Sequence, residues 1–100
     1  MEITIRPEAE IDLAAAMNYC ARGGSGAAKR FIQRVEERLD FLARNPEGAP
    51  AVYSRFRRLL LHPYPFGLFY HLTTDRIFVI AVLDLRQDPA EIRARVIKGL

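Results

Sequence analysis

One hundred residues with a formal net charge of +3, half of them apolar, describe one small domain, residues 1–100, rather than two. No stretch approaches the ~18 uninterrupted apolar residues of a membrane span. The opening MEITIRPEAE lacks the basic-then-apolar order of a signal peptide, and the lone Cys20 has no internal disulfide partner, so a cytoplasmic chain is expected.

The charge is uneven. Residues 1–50 carry seven basic and eight acidic side chains, and residues 51–100 carry eight and four. Thirteen of the fifteen basic residues are arginine, whose planar fork suits carboxylates and phosphates alike. A basic half fits nucleic acid or an acidic polypeptide, and equally the ordinary solubility charge of a small domain.

In chain order, Glu2–Arg6 alternates as a short half-buried strand with Ile3 and Ile5 on one face. Pro7 then opens a helix, with Glu8, Glu10 and Asp12 in its first turns. Leu13, Ala16, Met17 and Cys20 give that helix one apolar face. Arg22-Gly23-Gly24 ends it, and Ser25 is the expected N-cap of a second helix. That helix carries the clearest periodicity: Ala28, Phe31, Ile32, Val35, Leu39 and Leu42 form a stripe opposed by Arg30, Arg34, Glu37 and Arg44. Asn45-Pro46 stops it, with Asn45 expected in the left-handed terminal conformation. A turn this short makes the two helices an antiparallel hairpin whose stripes need a sheet to cover.

Asn45 to Ser54 reads as a loop, punctuated by Pro46, Gly48 and Pro50. Three strand-like runs follow: Phe56–Leu61, Phe66–Leu72 and Ile77–Leu83. Runs this close together pair as an antiparallel meander, since a parallel crossover needs a dozen or more residues. The last is continuously apolar and is expected to be buried on both sides or central in the sheet. Asp88-Pro89-Ala90-Glu91 is a strong helix start, for a short helix running to about Lys98. The expected class is α+β, with helices packed on one face of a largely antiparallel sheet.

The search for chemistry excludes more than it finds. Cys20, His62 and His71 show no metal-ligand spacing, and no zinc or other cofactor is expected. Gly23, Gly24 and Gly26 lack the Lys-Ser/Thr of a phosphate loop and follow a helix, so they read as a hairpin turn. What remains is arginine with aromatics: Arg55, Arg57, Arg58, Arg76 and Arg86 near Tyr53, Tyr64, Phe66 and Tyr70. Such a set can hold phosphates and stack a base. Strand alternation puts Arg57 and Arg58 on opposite faces, so one of them should face away from the helices. For RNA cleavage, Arg58 or Arg86 would supply the cation, with only Tyr70, His71 and Asp84 as acid–base candidates. The competing reading makes Tyr70 a packing residue and Asp84 a strand-end ion-pair partner.

The segments P-E-A-E-I-D-L (Pro7–Leu13), A-x-x-F-I (Ala28–Ile32), L-A-R-N-P-E-G (Leu42–Gly48), R-x-L-L-L-H-P-Y-P-F-G-L-F-Y (Arg58–Tyr70) and I-A-V-L-D-L-R-Q-D-P (Ile80–Pro89), in this order, resemble the RelE/ParE superfamily. These are the toxins of type II toxin–antitoxin modules, whose fold is an antiparallel sheet under a helical hairpin. The resemblance implies a bacterial or archaeal toxin held inactive by a cognate antitoxin, touching operator DNA only through that antitoxin. RelE-like members cut messenger RNA on the ribosome with a basic cluster. ParE-like members inhibit DNA gyrase without one. Here Gly67 stands where the RNA-cleaving members carry a basic residue, and Asp84–Leu100 holds no tyrosine or histidine. The resemblance is therefore closer to ParE. Arg55, Arg57, Arg58, Tyr64, Arg76 and Arg86 are the expected target- or antitoxin-binding residues. Arg58, Arg86 and Tyr70 would be catalytic in the ribonuclease alternative, and a member that binds its antitoxin without toxicity is the third reading.

Overall fold

The structure, a computed structural model, describes residues 1–98. Strand β1 (Glu2–Ile5) leads into helix α1 (Pro7–Ala21) and helix α2 (Ala27–Arg44). Strands β2 (Ala51–Tyr53), β3 (Phe56–Leu60), β4 (Phe66–Leu72) and β5 (Arg76–Asp84) follow, and helix α3 (Pro89–Ile97) closes the chain. The five strands lie in the order β1-β5-β4-β3-β2. The meander is antiparallel as expected, and β1 joins it in parallel beside β5, with Ile3 opposite Ile77. Strand β5 thus sits between two neighbours and is buried along most of its length, which its uninterrupted apolar run requires.

Helices α1 and α2 cover one face. Ala9, Ala16, Phe31, Val35 and Leu42 pack there against Leu59, Leu68, Tyr70, Ile77, Val79 and Val82. The expectation that all helices share this face is wrong for α3. Its Ile92 and Val96 pack on the opposite face, over Phe56, Phe69, Ile80, Ala81 and Leu83. A bulge between Phe69 and Tyr70 explains the surplus apolar surface there: Ala81 pairs with Phe69 and Val79 with Tyr70, leaving Ile80 unpaired. Ile80 and Ala81 then both belong to the outer face, and a second apolar layer is needed to bury them.

Three local expectations also change. The stretch read as a loop contains β2, an edge strand whose pairing is only Ala51 with Arg57 and Tyr53 with Phe56. It is too short to show a period. Helix α2 is capped by Gly26 at φ +79 instead of Ser25, because the left-handed turn between the helices needs a residue without a Cβ. At the other end Asn45 stops α2 at φ −136, not in the left-handed region, while its Nδ2 donates to Phe41 O (3.0 Å). The start of α3 is as read: Asp88 accepts from Ala90 N at 2.9 Å, with Pro89 in the first turn.

Candidate binding surface

The arginines of the meander do not converge. Arg57 and Tyr70 are cross-strand partners facing the helical hairpin. Arg57 Nη1 donates to Ala49 O (2.7 Å), and the Tyr70 hydroxyl donates to Pro46 O (2.9 Å). Both hold down the Asn45–Pro50 segment, where Pro46 O and Ala49 O accept from these side chains. Tyr70 is fully buried, and burial pushes its hydroxyl pKa up, against the pull of Arg57. Its place in the structure is therefore that of a packing and tethering residue.

Arg58 points to the opposite face, beside Phe69. Its Nε is buried with no hydrogen-bond partner, an arrangement tolerable only because the rest of the guanidinium is not. Gly67 makes room for it. A Cβ at this position would lie 2.9 Å from Leu85 Cδ2 and 3.2 Å from Arg58 Cγ. A side chain at Gly67 would therefore press on the side chains of Leu85 and Arg58, which would have to give way. Further along this face the rings of Phe56, His71 and Phe78 form a row, with His71 stacked on Phe78 (5.3 Å) and edge-on to Phe56 (5.7 Å). Arg55 lies over Phe56 and Arg6 over Phe78. His71 is buried, its Nδ1 has no partner, and its pKa is held down by burial and by these two guanidiniums.

Two further candidates are engaged with carboxylates. Arg76 binds Glu2 (2.8 Å) and Thr4 Oγ1 (2.9 Å), joining β5 to β1. Arg86 binds Asp84 through two nitrogens (2.7 and 3.0 Å), and these bonds hold the Asp84 carboxyl below its ordinary pKa. A carboxylate so committed is a poor general base. Arg86 also reaches the Tyr19 hydroxyl (3.2 Å) and lies over its ring. Asp84 is thus an ion-pair partner, the alternative weighed from the sequence.

The side chains that sequence reasoning missed belong to the hairpin. Tyr19, Cys20, Arg22, Ala27, Arg30 and Tyr64 line an open cleft of about 580 Å³ at its tip. Arg22 covers the same Tyr19 ring as Arg86. From this cleft Arg30, Arg34 and Arg38 continue along α2 at intervals of four residues. Arg34 and Arg38 donate from Nε to His62 O (2.6 Å) and Leu60 O (3.3 Å), which ties α2 to the end of β3 and the turn after it. The four-residue spacing was the available signal. It reads as a solvated face until the strand end it borders is known. Tyr64, a predicted binding residue, packs edge-on against Phe31 while lining this cleft. Among the described residues no three His, Cys, Asp or Glu side chains gather as for a metal, and no helix is long and apolar enough to cross a membrane.

A helical hairpin over a mixed sheet, with arginines spread around its margins, defines a small α+β domain. The sequence profile described as the ParE toxin of type II toxin–antitoxin systems, parDE, matches residues 3–89. The chain belongs to the ParE toxin family. Among solved structures it is similar to a chain of the chromosomal ParDE toxin–antitoxin system from P. aeruginosa, at a TM-score of 0.72 and 21% identity. That match covers 85% of this chain and 96% of the other, and shares the fold. No curated protein matches.

Proposed function

We propose that this toxin acts by binding and inhibiting a protein target, DNA gyrase, in the cytoplasm, and that a cognate antitoxin neutralises it. The observation that carries this reading is the commitment of the acid–base candidates. Tyr70 is buried and bonded to Pro46, His71 is buried with its pKa pushed down, and Asp84 is held by Arg86. Cleavage of RNA at its own 2′-hydroxyl needs a reachable acid and base beside the cation. Binding needs only the exposed guanidiniums of Arg55 and Arg86, the half-buried Arg58 and the hairpin cleft, which an acidic antitoxin segment also suits.

Expression without the antitoxin tests the reading. Filamentation with DNA damage and intact messages is the expected result, together with loss of supercoiling by purified gyrase on addition of the chain. Arrest of translation with cuts in messenger RNA on the ribosome would overturn it in favour of a ribonuclease. Growth without any defect would leave a member that only binds its antitoxin.

A further inference from the structure

Helix α1 carries large apolar side chains on its outer side as well as its inner one. Ala9, Leu13, Ala16 and Cys20 face the core, yet Ile11 on the other side is 70% exposed and Tyr19 43%. Ala14 and Ala15 are exposed between them. Exposed Ile11, Met17 and Tyr19 set among Glu8, Glu10 and Asn18 leave apolar area on the outer side of α1 that nothing in the fold covers.

The outward residues also have an order. Glu8, Ile11, Ala15, Asn18 and Arg22 recur at heptad spacing and share one stripe. The stripe starts with an acid, ends with a base and has a small residue at its centre. Among the described residues the ion pairs are Arg76–Glu2, Arg86–Asp84 and Arg95–Asp12, so neither Glu8 nor Arg22 takes part in one.

We propose that α1 is a self-docking surface, on which a second copy of this chain lies antiparallel about a two-fold axis at Ala15. This operation sets Glu8 against the partner's Arg22 at both ends, roughly 21 Å apart at 1.5 Å per residue. It sets Ile11 against the partner's Tyr19, and Ala15 against the partner's Ala15, where small side chains let the axes approach closely. A foreign helix of one charge would gain at one end of the stripe and be repelled at the other. An antiparallel copy of α1 is complementary at both. Two 15-residue helices side by side make an interface at the small end of the specific range, so the association is weak and concentration-dependent.

Sedimentation equilibrium of the purified chain, from about 10 μM to about 1 mM, tests this. The expected result is a mass rising towards the dimer. Ile11→Glu should weaken the association at least about tenfold while the thermal melt is unchanged, since the side chain is exposed. Glu8→Arg alone and Arg22→Glu alone each place like charges together and should abolish self-association. The two single variants mixed should form a heterodimer, and the double reversal should restore the homodimer. A monomer at every concentration overturns the proposal. So does a dimer indifferent to Ile11→Glu, or single variants that fail to pair with each other.

Discussion

Asp12 offers the sharpest test of how the two helical layers are held to one sheet. Strand β1 pairs with β5 only as far as Ile5 and Val79. Beyond that point Val82 N has no strand to bond to, and Asp12 Oδ2 accepts from it at 3.0 Å. The same carboxylate takes Arg95 of α3 at 3.1 and 2.7 Å. One side chain on α1 therefore replaces the missing strand and ties down the helix on the opposite face. In Asp12→Ala the pair with Arg95, whose side chain is 34% exposed, is lost; after screening this is about 1 kcal/mol. The Val82 N–H left unpaired under α1 adds about 1–2 kcal/mol. The sum of about 2–3 kcal/mol lowers the melting temperature by about 10–20 °C for a chain of this size. Asp12→Asn keeps an oxygen for Val82 and should cost about 1 kcal/mol. Urea and thermal melts of both variants, with Arg95→Ala and the double variant completing the cycle, measure each part. An Asp12→Ala melt within about 2 °C of the parent would refute the reasoning, because both parts would then be absent. Equal losses in Asn and Ala would refute the backbone part alone.

Three further outcomes follow from the same geometry. His71, neutral between Phe56 and Phe78 with Arg55 and Arg6 at the ends of the row, has a folded pKa below its ordinary value near 6.5. The unfolded state therefore takes up the proton first: stability is full above about pH 6.5 and falls as the pH drops from there through the depressed folded value. His71→Phe should flatten this part of a stability–pH curve, and an unchanged slope would contradict it. Tyr70→Phe should cost about 1 kcal/mol in a urea melt, from the lost Pro46 bond, and leave toxicity unchanged. Toxicity lost with the fold intact would return Tyr70 to the catalytic candidates. Arg58→Ala and Arg86→Ala should each abolish growth inhibition while leaving the melt within about 1 kcal/mol of the parent, since Arg58 has no hydrogen bond through Nε and Arg86 is exposed. Unfolding of either variant would make that arginine structural.

The parts of the fold legible in the sequence are those set by local chemistry. The α2 stripe, the meander and the Asp88-Pro89 helix start each follow from residues within one element, and each appears in the structure. The side of the sheet taken by α3 was not legible, because it depends on the bulge that leaves Ile80 unpaired, and nothing in an apolar run marks where a bulge falls. The arginines show the same division. Their presence in the strands and the opposite facing of Arg57 and Arg58 follow from alternation. Whether a guanidinium is free depends on what the fold brings to it: Ala49 O to Arg57, Glu2 to Arg76, Asp84 to Arg86, and no hydrogen-bond acceptor to Arg58 Nε. Gly67 joins the two levels. Read from the sequence, it is a basic residue missing from a catalytic cluster. In the structure its missing Cβ is what lets Leu85 and Arg58 close over the sheet. A basic side chain there would have to displace both, so adding a cation at Gly67 would disturb the seat of the one already present.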